Sequence, residues 1–225
     1  MTSAWLQTLT GRALDFGAPA VERAHLAAEI APALAKLARY AGHTDCPYSV
    51  AQHSVLMAEA ALDETGDAGL AALCLLHDAH DAYLGDWTSP VQHALADEMA
   101  RQAMDAGASP IQAEARAESL FAARRALTRR LDRAILAAAG ISPERAFARK
   151  AEVDRYDLRM LHTERLHLMR PPPRPWDYQA THPDLAPIRP RKGRIKAWGW
   201  IEAEERFAAA LATLCPETRE LACHG

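Results

Sequence analysis

The chain has 225 residues, enough to bury one substantial core in a single domain, and 49% apolar with 24% charged residues is a globular composition that sets aside disorder and fibrous repeats. A formal net charge of -3 is too close to neutral to make the whole surface a nucleic-acid binder, whatever a local patch does, so polymeric nucleic acid is not the expected partner. Alanine dominates the apolar share and β-branched residues are sparse, a balance that points to an all-α fold.

Apolar residues Val21, Leu26, Ile30, Leu34 and Leu37 recur at helical spacing from Pro19 to Tyr40, with Gly42 as a stop. A second helix opens at Tyr48-Ser49, with Ser49 as N-cap, and runs to about Thr65-Gly66. Asp67 caps a third, whose run AALCLLHDAHDAYL is almost wholly apolar before its polar end, the pattern of a buried helix. Gly85 breaks it, and Thr88-Ser89-Pro90 restarts a helix with a proline near the first turn, where its missing N–H costs little. From about Ser109 to Ala139 a stripe of Leu120, Phe121, Leu127, Leu131 and Ile135 predicts a long amphipathic helix ended by Gly140. Ser142-Pro143 then starts one helix carrying Asp154, Asp157, His162 and Glu164, which Pro171-Pro172-Pro173 stops. The chain reads as a loop to Ala197, and a last helix, Trp200 to Leu214, turns Ile201, Phe207 and Leu211 to the core.

No apolar run approaches the roughly 20 residues of a membrane span, and the N-terminus lacks a basic start followed by an apolar stretch. A cytoplasmic protein without a membrane partner is expected. Cys46, Cys74, Cys215 and Cys223 show no CxxC pairing, so free, structural thiols are expected in place of a zinc ribbon or a disulfide framework.

The chemistry lies in three signals on predicted helices: His53 in SVAQHS, His77-Asp78 in LLHDAHDAYLGD, and Asp157 in VDRYDLRMLHTE. A His-Asp pair alone is weak, since ten His and fourteen Asp would give about 0.6 such pairs by chance. Its context is more specific, because His77, Asp78, His80, Asp81 and Asp86 crowd the end of an apolar helix, where that charge is costly without a metal or partner. Two imidazoles with two carboxylates form a mixed N/O set for a divalent ion, whether Zn, Mn, Co, Ni, Fe or Mg.

Here the chain resembles the HD-domain phosphohydrolases, in particular the bacterial 5'-deoxynucleotidases and their phage relatives. The matching segments are GRALD from Gly11, RYAGHT from Arg39, PYSVAQHS from Pro47, LLHDAHDAYLGDWTSP from Leu75 and YDLRMLHTE from Tyr156, covering roughly residues 11 to 170. The resemblance implies an HD-type helical bundle with its core over about 19-170, on which residues 171-225 pack. It implies that His53, His77, Asp78 and Asp157 are the metal ligands, with Asp154 a decoy one turn earlier. In relatives the acidic residue four after the motif histidine is a glutamate that handles protons around the attacking water. Asp81 stands there in this chain, shorter by one methylene, so proton transfer can run through an intervening water. Asp86 would act on the nucleophile or the sugar, and Arg39 would bind phosphate, for which its planar fork is suited.

The implied reaction is metal-assisted attack of water on phosphorus, releasing phosphate from a deoxynucleoside monophosphate. Removal of triphosphate from a deoxynucleoside triphosphate is the alternative. So is a nucleotide-sensing module without catalysis, which the Asp81 replacement keeps open. His80 can contact a second metal or a leaving phosphate, against the simpler reading of a hydrogen-bonded histidine. Trp87, next to Asp86, is a candidate for base or sugar contact. The basic loop Arg189, Arg191, Lys192, Arg194 and Lys196 can steer a polyphosphate, or is simply solvated. Trp176, Tyr178, Trp198 and Trp200 suit packing better than base stacking. Relatives often form dimers through helical faces, so a homo-oligomer is a further expectation.

Overall fold

Side-chain caps set the start of four helices in the computed structural model, which describes residues 4–216. In α3 (Val50–Thr65) Ser49 accepts a hydrogen bond from the Gln52 N–H and Gly66 ends the helix in the left-handed conformation. Asp67 accepts from the Leu70 N–H at the start of α4 (Ala68–Leu76). Ser109 and Gln112 form a capping box at the start of α7 (Pro110–Ala138), and Ser142 caps α8 (Pro143–Ala148). The remaining helices are α1 (Arg23–His25), α2 (Ala31–Lys36), α5 (Asp81–Leu84), α6 (Ser89–Asp105), α9 (Lys150–Leu168), α10 (Asp177–Thr181) and α11 (Trp200–Leu214). The fold is an all-α bundle.

Five local expectations need correction. A small hairpin, β1 (Trp5–Gln7) against β2 (Ala13–Asp15) with Leu6 opposite Leu14, precedes the helices and buries Leu14 in the core. The first helical run begins at Arg23, contains a π-helical stretch Leu26–Ile30 and stops at Lys36. It stops because Leu37 turns extended and residues 37–39 pair with 48–50: the Val50 N–H donates to the Leu37 carbonyl and the Arg39 N–H to the Tyr48 carbonyl, each at 3.0 Å. The helix expected from Ser142 is broken at Arg149, whose guanidinium reaches Asp67 of the α4 cap (2.6 Å) and Glu152 (2.8 Å). In α11 Phe207 and Leu211 are buried as expected, with Ala203, but Ile201 is 56% exposed. The segment read as a loop up to Ala197 also contains α10.

The core forms where α3 and α4 pack on each other and α11 crosses them together with α2, and α9 closes against α3 and α4. Residues 171–216 thus pack on that core through α11. Within α7 only the C-terminal part joins the core: Leu131 and Ile135 are buried while Leu120, Phe121 and Leu127 are half-buried. The rest of α7 packs along α6. Arg12 of the hairpin clamps the buried Glu29 (Nε–Oε1 2.8 Å, Nη2–Oε2 2.7 Å), and the Tyr83 hydroxyl donates to the same carboxylate at 3.2 Å. The hairpin is therefore tied to the π-helical stretch and to α5 beside the His-Asp segment. No described helix is long and apolar enough to cross a membrane. Cys46, Cys74 and Cys215 are free thiols, and Cys223 lies outside the described residues.

Candidate metal centre

His53 occupies the first turn of α3, His77 caps the C-terminus of α4 with Asp78 just beyond it, and Asp157 lies on α9. Crossing of the three helices brings their donor atoms to one point. The Nε2 atoms of His53 and His77 are 3.2 Å apart, and Asp157 Oδ1 lies 3.3 Å from the first and 3.7 Å from the second. Asp78 Oδ2 is 3.1 Å from His77 Nε2 and 3.8 Å from His53 Nε2. Donors bound about 2.1 Å from a single ion sit about 3.0 to 3.4 Å apart when adjacent in octahedral or tetrahedral geometry, so the observed spacings suit one cation at the centre. Asp154, one turn earlier, points away and pairs with Lys150 at 2.6 Å on the exposed side of α9.

The second atom of each imidazole decides its tautomer. His77 Nδ1 faces the Cys74 carbonyl at 2.8 Å, which can only accept, so that nitrogen carries the proton. His53 Nδ1 lies 2.5 Å from Glu164 Oε1 and donates to that carboxylate. Both neutral rings therefore turn unprotonated Nε2 lone pairs toward each other, a repulsive arrangement that a cation between them relieves. Without a cation, the surrounding carboxylates favour proton binding by the rings. Burial pushes the His77 imidazole down, but Asp78 and Asp157 outweigh it and hold its pKa well above the ordinary value. Burial and Arg39 likewise push His53 down, yet Glu164 and Asp157 leave it raised. Burial would raise the Asp157 carboxyl, and the two imidazoles hold it well below its usual range.

Glu164 is the residue that sequence reasoning missed as part of the site. It lies seven residues after Asp157, two turns along the same face of α9. Fully buried, it accepts from His53, from the Tyr48 hydroxyl at 2.7 Å and from the Tyr40 hydroxyl, and it lies 3.5 Å from Arg39 Nε. Burial raises its pKa, and Arg39 and His53 more than reverse that, leaving it lowered. The available signal was its place in the LHTE segment, which aligned without a role. Arg39, expected at a substrate phosphate, is buried with Nη1 3.1 Å from the ligand-type Asp78. Its turn is strained: Tyr40 and Ala41 both hold positive φ, 56° and 50°.

Asp81 is 5% exposed at the start of α5, and its pKa is raised to about 7 by burial first and then by Asp78 and Asp86, against His80 and Arg124. Asp86 is half-buried beyond Gly85, and burial raises it too. Trp87 is exposed and donates its indole N–H to the Leu84 carbonyl at 3.1 Å. His80 is buried and hydrogen-bonded, with Nδ1 3.0 Å from Asp132 Oδ1.

Several of the basic-loop and aromatic residues take structural contacts. Arg191 reaches Asp63 at 2.5 Å, Arg194 donates to the His167 carbonyl, and Trp198 and Trp200 lie under Arg206 and Lys36. Trp176 leans on Tyr40 and Tyr178. A cleft of about 540 Å³ lined by residues including Arg23, Ala139, Arg145 and Cys215 carries none of the four donors.

No family model matches the chain. It is similar to an uncharacterized protein of Rhodobacter capsulatus, 41% identical over 101 residues, covering 42% of this chain and 50% of that one. It is also similar to the uncharacterized protein YfdR of Escherichia coli K12, 39% identical over 69 residues, covering 31% of this chain and 36% of the relative. The chain thus spans half or less of the length of these curated relatives. The fold and site together are those of a helical protein with a His/Asp cluster that can bind a metal, compatible with an HD-type domain.

Proposed function

We propose that this chain is a metal-dependent phosphohydrolase of the HD type acting on deoxynucleotides, and that it releases phosphate from deoxynucleoside 5'-monophosphates. The observation that carries the reading is the convergence of His53 Nε2, His77 Nε2 and Asp157 Oδ1 within 3.7 Å of one another, with Asp78 Oδ2 3.1 Å and 3.8 Å from the two imidazoles and both histidine Nδ1 atoms already committed elsewhere. A divalent cation held by these donors supplies Lewis acidity, drawing charge from a phosphoryl oxygen and making water acidic enough to ionise near neutral pH. The choice of a nucleotide, and of the monophosphate, rests on the resemblance of the PYSVAQHS and LLHDAHDAYLGD segments.

The remaining roles belong to the chain's own groups. Asp81, buried with its pKa raised to about 7, is placed to exchange a proton with the attacking water or the leaving oxygen when its carboxylate is not itself bound to a cation. Arg39, held by Asp78 and Glu164, sets a fixed positive charge at the floor of the site against which phosphate charge is balanced. The resemblance supports sugar or base contact for Asp86 and Trp87, which follow Gly85.

The test incubates metal-loaded protein with nucleoside mono- and triphosphates and separates phosphate, pyrophosphate and triphosphate. Phosphate from deoxynucleoside monophosphates alone is the expected outcome. Triphosphate from deoxynucleoside triphosphates would replace the reading, and silence with every metal would overturn enzymatic activity.

A further inference from the structure

We infer that the site is built for two cations, the second held by Asp78, His80 and Asp81, with Asp78 shared between the two and Asp132 of α7 positioning His80.

One donor atom from each of Asp78, His80 and Asp81 lies within 4.8 Å of the others. Three features make this more than a cluster of acids. First, His80 repeats the arrangement of His53: its Nδ1 is engaged by a carboxylate, Asp132 Oδ1 at 3.0 Å, so Nε2 is the free atom, and it faces Asp81 Oδ1 at 3.5 Å. Second, that Asp81 oxygen is buried in a side chain 5% exposed and has no hydrogen-bond partner, an unmet acceptor that is costly unless something fills it. Third, α7 turns a polar stripe toward the same place: Arg124, Thr128 and Asp132 are spaced by four, Arg124 and Asp132 reach the cluster, and the Thr128 hydroxyl between them is buried and unpartnered.

Arg124 does not satisfy this pocket. Its Nη2 is 3.9 Å from Asp81 Oδ1, beyond a hydrogen bond, on a side chain exposed enough to swing aside. Donors around one ion at about 2.1 Å are at most about 4.2 Å apart, a span comparable to the 4.8 Å within which these three lie. Two carboxylates and one imidazole suit Mn²⁺ among the common divalent ions. A carboxylate shared by both ions sets them about 3.5 to 4 Å apart, the separation at which two cations can clamp one phosphoryl group.

The inference stands on geometry and not on the nucleotide reading, so ion binding is measured without substrate. The full chain is dialysed against saturating Mn²⁺, bound metal is counted per chain, and low-temperature EPR is recorded for Mn–Mn spin coupling. The wild type is expected to hold two coupled ions. His80→Asn is expected to hold one, and Asp132→Asn to bind the second at least tenfold more weakly while the first is unchanged. Asp132→Asn removes a half-exposed group and serves if His80→Asn fails to fold. A wild type that saturates at one ion, two ions without coupling, or a folded Asp132→Asn protein that binds both normally would each overturn the proposal. A coupled pair in a protein inactive on every nucleotide would sink the proposed function and leave this inference standing.

Discussion

Replacing Glu164 by alanine removes the single acceptor shared by His53 Nδ1, Tyr48, Tyr40 and the neighbouring Arg39. Two losses follow. The imidazole of His53 is no longer held with its Nε2 toward the centre, a change that lowers metal affinity by about 10- to 100-fold, or about 1.4 to 2.7 kcal/mol. Arg39 keeps only Asp78 at 3.1 Å, and a buried charge deprived of a partner costs roughly 3 to 5 kcal/mol of folding stability. Glu164→Gln keeps the volume and one acceptor oxygen, so its metal affinity falls by about tenfold or less. Competition of Zn²⁺ or Mn²⁺ against a chelating dye, on protein shown to be folded by circular dichroism, measures the first loss, and denaturant unfolding without metal measures the second. A folded Glu164→Ala protein that holds its ion within twofold of the wild type would refute the assignment of Glu164 as the group that orients His53.

Three other changes bear on the same architecture. Asp157→Ala is expected to abolish metal retention through dialysis while Asp154→Ala, whose partner is Lys150, leaves it intact, and the reverse result would overturn the register read along α9. Burial raises the Glu29 carboxyl, but hydrogen bonds from Arg12, Thr10 and Thr8 bring it from 4.5 to about 2. Its folded-state pKa is depressed, so its contribution of about 3 kcal/mol is present above pH 4.5 and lost as the pH falls toward 2. Stability of Glu29→Gln measured across that window should therefore be flatter than wild type, and equal slopes would rule out the clamp. Gly85 has φ 81° and ψ 152°, a conformation that essentially only glycine adopts. Gly85→Ala is expected to cost about 1 to 3 kcal/mol in denaturant unfolding, and a change under about 0.5 kcal/mol would show that the turn tolerates a side chain.

The helices themselves were largely written in local sequence, because caps and periodicity depend on residues within about four positions of one another. Ser49, Asp67, Ser109 and Ser142 start helices where their side chains predict. Local signals erred where distant groups intervene. Leu37 leaves its helix to pair with Val50, and Arg149 leaves its helix as its side chain reaches Asp67, 82 residues away in the chain. The short hairpin has too few residues for alternation to reveal it.

The same division runs through the site. Sequence by itself determined which side chains can bind a cation, since His53, His77, Asp78 and Asp157 are ligand types in short recognisable segments. Only the tertiary structure decided that their donor atoms meet, that Glu164, 111 residues from His53, sets the tautomer of that ring, and that Asp132 of α7 does the same for His80 from 52 residues away. The physical reason is that helix crossings bring these groups to hydrogen-bond distance, and no periodicity within one helix encodes where another will cross it.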